Sequence, residues 1–90
     1  MEELEKEVEV RNRAGLHTRP AAMLVKLSAK YHSEIYLIKD GFTINAKSII
    51  GVMTLAAEFG AKLMVRAEGI DAKEAIDGIA QLFDDGFGEP

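Results

Sequence analysis

A two-layer α+β sandwich is what this 90-residue sequence predicts. Three observations carry that reading. Polar/apolar alternation and helical periodicity follow one another as strand, helix, strand, strand, helix, strand, helix. Asp40-Gly41 joins two β-rich runs and signals a tight hairpin, which gives the sheet an antiparallel component. The last strand-like run keeps one wet face, as expected when helices cover only the other.

The first strand is expected at residues 5–10, with Val8 and Val10 facing the core. A polar loop through Gly15 follows. Residues 18–30 turn helical: Ala21, Leu24, Val25, Ser28 and Tyr31 recur on one face, and Lys26 and Lys30 lie on the other. Thr18 is the expected N-cap, and Pro20 fits a first helical turn. Residues 33–38 are β-branched and aromatic and read as the second strand; the return strand runs from Phe42 to 45 or 46. Ser48 caps a short helix over 49–56. Residues 62–68 alternate, with Leu63, Val65 and Ala67 inward. Asp71 and Glu74 form a capping-box-like pair that opens the last helix, whose apolar face is Ala72, Ala75, Ile76, Ile79 and Phe83. Gly86 is a natural stop. Residues 86–90 are expected to form a loose tail on a single domain spanning 1–90.

Composition narrows the function. Fifteen Asp and Glu against eleven Lys and Arg leave a formal net charge of −4. That balance counts against nucleic-acid binding, which needs cations facing phosphates. With no cysteine there is no thiolate metal site, disulfide or thiol nucleophile. A disulfide-free domain of this size points to a cytoplasmic setting. The acidic start lacks the apolar run of a signal peptide, and no window approaches the apolar length of a membrane span. The two histidines, His17 and His32, are too few for a multi-histidine metal site, so neither metal nor cofactor is expected. His32 reads as a solvated residue near a helix C-terminus, and Glu2, Glu3, Glu5 and Glu7 as a solvated edge strand.

The informative stretch is Asn12-Arg13-Ala14-Gly15-Leu16-His17-Thr18-Arg19-Pro20-Ala21-Ala22. It sets one imidazole immediately before a helix N-terminus, whose first amide N–H groups lack acceptors and whose dipole favours anions. Such a place binds phosphate. A neutral imidazole offers one nucleophilic ring nitrogen, and Arg19, two residues on, presents a planar fork of donors to phosphate oxygens. Arg11, Arg13 and Lys26 add positive charge around the same helix.

Gly15 to Ala21 matches every position of Gly-Leu/Ile-His-Ala/Thr-Arg-Pro-Ala, and Lys47-Ser48-Ile49-Ile50-Gly51-Val52-Met53-Thr54-Leu55 supplies a second motif. In both, the chain resembles the histidine-containing phosphocarrier (HPr) family of the bacterial sugar phosphotransferase system. The resemblance extends over essentially the whole chain. It implies an open-faced β-sandwich, a four-stranded antiparallel sheet in order 1-4-2-3 under three helices. It also implies a carrier, not an enzyme: His17 accepts a phosphoryl group on Nδ1 from enzyme I and passes it to an acceptor protein of the enzyme IIA type, with Arg19 stabilising the group. In some branches the serine matching Ser48 is phosphorylated by an HPr kinase/phosphorylase. A phosphate suits a helix N-terminus and would add negative charge beside the partner surface. Ile49, Ile50, Val52 and Met53 exceed what one face of so short a helix can bury, and exposed apolar residues mark interfaces. The resemblance assigns Ile49, Ile50 and Met53 to partner binding, with Lys26 at the rim, while Val52 fits the core. A monomer is expected. A rival reading is a nitrogen-branch or catabolite-control interaction protein switched by Ser48 phosphorylation.

Overall fold

The computed structural model describes residues 2–90. Strands β1 (Glu2–Glu9), β2 (Glu34–Lys39), β3 (Phe42–Asn45) and β4 (Lys62–Gly69) alternate with helices α1 (Thr18–Ser28), α2 (Ile49–Thr54) and α3 (Ala72–Asp84). All pairings are antiparallel and the sheet order is β1-β4-β2-β3, as the family resemblance implied. β4 is central: it pairs Val8 with Leu63 on one side and Leu37 with Val65 on the other.

Period-2 alternation decides which face is dry. Ile35, Leu37, Leu63, Val65 and Ala67 are buried, and their neighbours Tyr36, Met64, Arg66 and Glu68 are only partly covered. On that open face the Arg66 guanidinium stacks over the cross-strand Tyr36 ring at 4.9 Å. Helix α3 lies across β1 and β4, and α1 packs against α2 and α3. The buried stripes are Ala21, Leu24 and Ser28 on α1 and Ala72, Ala75, Ile76, Ile79 and Phe83 on α3, in agreement with the sequence periodicity. The hairpin at Asp40-Gly41 has both residues at positive φ (51° and 83°), the geometry whose twist matches that of its strands.

Four local expectations are corrected. β1 starts at Glu2 rather than 5, because β4 offers an eight-residue ladder and backbone pairing continues through the acidic residues. The N-cap of α1 is His17, not Thr18; Thr18 already has a helical place, and no side chain caps this end. Asp71 stands at the N-cap of α3 but spends its carboxylate elsewhere. It accepts from the His32 and Ser33 backbone N–H groups (both 2.8 Å) and from the Ser33 hydroxyl, tying α3 to the segment between α1 and β2. These bonds hold the Asp71 carboxyl down at about 2, the Ser33 hydroxyl contributing most.

The fourth concerns the residues expected to be a loose tail. Gly86–Gly88 form a 3-10 turn, and Phe87 between the two glycines is fully buried. Its ring meets Phe83 edge-on, with centroids 5.0 Å apart. Phe87 sits at φ 56°, unusual for a bulky residue, and burial of the ring offsets that backbone cost. The turn brings Glu89 and Pro90 back to the loop before α1.

Candidate functional site

The site is assembled where the β1–α1 loop, the first turn of α1 and the chain's last residues meet. Asn12 is completely buried and anchors the loop: its Nδ2 donates to the Gly15 carbonyl at 2.7 Å. Gly15 has φ +72°, and a Cβ there would stand 2.6 Å from the Ala57 carbonyl oxygen, so only glycine lets the loop pass so close to that backbone. Leu16 is buried beside it and its N–H bonds the same oxygen at 2.9 Å. The loop is therefore pinned on both sides before it delivers His17 to the helix start, where the Ala21 N–H bonds the His17 carbonyl at 3.0 Å.

The His17 ring is 43% exposed. Its Nε2 lies 2.9 Å from Oε1 of Glu89. Arg19 Nη1 donates to Oε2 of the same carboxylate at 3.0 Å and to the Phe87 carbonyl at 3.1 Å. Asn12 Nδ2 donates to Glu89 Oε1 at 3.0 Å, and the Arg13 N–H reaches the Pro90 main-chain oxygen at 2.8 Å. The hydrogen bond from His17, with those from Asn12 and Arg19, holds the Glu89 carboxyl below the usual carboxylate range, although partial burial opposes this. An ionised carboxylate only accepts hydrogen bonds. Nε2 therefore carries the proton, and in the neutral ring Nδ1 holds the lone pair. No acidic residue lies in the first turn of α1 to offset its dipole. The groups line a shallow depression, with Arg13 on its rim, rather than a cleft.

Ser48 is the N-cap of α2: its Oγ accepts from the Gly51 N–H at 3.1 Å. Beyond it Ile49 (37%), Ile50 (76%) and Met53 (42%) are exposed while Val52 is fully buried. Phe59 and Phe42 are exposed as well and were not anticipated. Lys26 is exposed but belongs to the last turn of α1. It stands roughly 12 Å along the axis from Thr18, at 1.5 Å per residue. The positive cluster expected around the helix start is thus smaller than the sequence suggests. Arg11 faces Asp84 at 3.6 Å, Arg19 faces Glu89, and Lys26 is remote. His32 is exposed, and no group of three or more potential metal ligands occurs among the described residues.

Glu89, Phe87 and the anchoring role of Asn12 were not foreseen. The one sequence signal was a lone bulky apolar residue, Phe87, set between glycines after a helix stop.

An open-faced α+β sandwich with a single histidine displayed at a helix start places the chain among small phosphoryl-carrying domains. The family model described as "PTS HPr component phosphorylation site" matches residues 4–85. The phosphocarrier protein HPr of Treponema pallidum is 45% identical over 84 residues, covering 93% of this chain and 96% of that protein. The crystal structure of HPr from Thermoanaerobacter tengcongensis superposes with a TM-score of 0.91 at 41% identity, covering 100% of this chain and 99% of the other. A dimeric crystal form of HPr from the same organism superposes at 0.78 with 43% identity, covering 91% of this chain and 94% of the other. The chain belongs to the HPr family of phosphocarrier proteins. It is a carrier and not a catalyst.

Proposed function

We propose that His17 is the phosphoryl acceptor and donor of this carrier, taking the group on Nδ1 from enzyme I and yielding it to an acceptor of the enzyme IIA type. The observation that carries this reading is the half-exposed ring with Nε2 engaged by Glu89, which leaves Nδ1 as the nucleophile at the start of α1. Arg19 is the phosphate ligand: its side chain is 57% exposed and its guanidinium already holds a carboxylate, an anion that phosphoryl oxygens can replace. A phosphoramidate is labile, which suits relay, and an open depression lets the group enter a partner's active site. Ile49, Ile50 and Met53 form the docking patch; Lys26, given its distance, acts at most as an outer contact. Ser48 is the regulatory site for an HPr kinase/phosphorylase: its phosphate would meet the free amides of α2 and set negative charge beside the docking patch. The carrier works as a cytoplasmic monomer that binds no nucleic acid and needs no cofactor, although the dimeric Thermoanaerobacter form shows that HPr chains also pair; sedimentation at working concentration decides between the two states.

Incubation with enzyme I and phosphoenolpyruvate is expected to add one acid-labile phosphoryl group, visible by intact-mass spectrometry. His17→Ala should accept none. An acid-labile group on that variant would sink the assignment. The kinase is expected to add an acid-stable group that Ser48→Ala refuses.

A further inference from the structure

Glu89 lies beyond the segment matched by the family model, yet it is the most heavily engaged carboxylate at the site. Its side chain is only 14% exposed. Both oxygens are used: Oε1 accepts from His17 Nε2 and Asn12 Nδ2, and Oε2 accepts from Arg19 Nη1. The side chain is not adventitiously placed. The buried Phe87 ring fixes the turn two residues earlier, the buried Asn12 fixes the receiving loop, and the Arg13–Pro90 backbone bond closes the chain over it.

We propose that Glu89 is a positioning residue for phosphoryl transfer. It fixes the His17 tautomer in which Nε2 carries the proton and Nδ1 the lone pair, and it holds Arg19 beside the ring until phosphoryl oxygens take its place. The inference rests on His17 being the acceptor. In the transfer the Nδ1 lone pair forms the new P–N bond while the donor's bond to phosphorus breaks, its electron pair leaving with the donor atom. The Nε2 proton stays on the ring, which becomes cationic as Nδ1 gains its third bond. The Glu89 carboxylate faces that developing positive charge directly. Arg19, released from Oε2, then turns to the dianionic phosphoryl group, so that one guanidinium serves first the resting and then the charged state. The tail carboxylate acts only through the ring and through Arg19, and touches no phosphoryl atom.

Two variants separate the two roles. Glu89→Ala removes both. Glu89→Gln keeps an amide oxygen that accepts from Nε2 and Asn12 but turns its NH2 toward Arg19, so it keeps the tautomer and loses the hold on the guanidinium. The ring nitrogens of the neutral His17 are followed by long-range 15N NMR, and the rate of phosphorylation by phosphorylated enzyme I by rapid quench. The wild type is expected to show a dominant Nε2–H tautomer. Glu89→Ala should shift toward a mixture and accept the group about fivefold more slowly, the size of one hydrogen bond's net contribution. Glu89→Gln should retain the wild-type tautomer and lose part of the rate. A residue that merely ties down the tail would alter the melting temperature and leave the tautomer alone. An unchanged tautomer population in Glu89→Ala, or an unchanged rate, overturns the proposal. The NMR measurement needs no phosphoryl donor. Failure of the wild type to take phosphate on His17 would therefore strike the proposed function, while the tautomer populations still decide whether Glu89 sets the ring.

Discussion

Some residues here are constrained by backbone proximity rather than by side-chain packing. Gly15 shows this most sharply. Alanine at that position meets both a left-handed backbone and a carbonyl oxygen at 2.6 Å. Gly15→Ala is expected to cost about 2 kcal/mol or more, the range for a strained non-glycine backbone compounded by a clash, and to lower phosphorylation because His17 moves with the loop. Urea denaturation gives the first and the enzyme I assay the second. Asp71 makes a prediction in pH. Its folded carboxyl lies at about 2 against an ordinary 3.8. A depressed carboxylate contributes stability that is fully present above the unfolded value and is lost as pH falls through the folded one. The wild type should therefore lose stability between about pH 4 and pH 2. Asp71→Asn should be less stable at neutral pH and show a shallower loss across that interval, read from urea midpoints at successive pH values. The Ser33 and His32 donors that bring this about are 38 and 39 positions away in the chain, so the capping-box pattern with Glu74 was a sound local signal overridden by a better distant partner.

At the scale of elements, α2 and the C-terminal turn behave oppositely. Helix α2 spans six residues, too few to be stable alone, and relies on its cap and on Val52 in the core. Ser48→Ala is expected to destabilise by about 1 kcal/mol through loss of the bond to the Gly51 N–H. Ser48→Asp should restore the cap, which makes equal stability with altered partner affinity the signature of a charge effect at that site. The turn at Gly86–Gly88 has no helical periodicity and little intrinsic preference, yet it is held by the fully buried Phe87. Phe87→Ala should cost about 3–5 kcal/mol by the usual loss for a buried aromatic ring, and it should free Glu89 from His17. Thermal melts and the His17 ring resonances would report the two effects together. Element type and order were legible because burial alternates with the local geometry: period two on β4, period 3.6 on α1 and α3. The beginning of β1 was less so, since Leu4 is the lone apolar residue among Glu2 to Glu5, too little to show an alternation, and the stretch is ordered by backbone pairing with β4.

For the whole molecule, the contrast is between a net charge of −4 and a site where one imidazole and Arg19 share a single carboxylate at one helix start, with Arg13 on the rim. The sum hides the arrangement, because most acids lie on β1 and α3 while Arg13, His17 and Arg19 gather at the loop. The proposed docking face is apolar, and Ile50 is its most exposed member at 76%. Ile50→Glu is expected to leave stability within about 0.5 kcal/mol, as at other exposed positions. It should raise the KM for phosphorylation by enzyme I. An unchanged KM would remove Ile50 from the interface.

The sequence by itself determined the faces of the elements, the hairpin, the cap of α2 and the placing of His17 and Arg19 at the start of α1. All of these depend on residues within a few positions of one another. Tertiary structure decided what the imidazole touches. Glu89 is 72 positions from His17, and Asn12 meets Glu89 across 77. No local periodicity encodes such contacts. They exist because burying Phe87 against Phe83 repays the entropy of ordering the last residues, and the turn so fixed returns a carboxylate to the helix start.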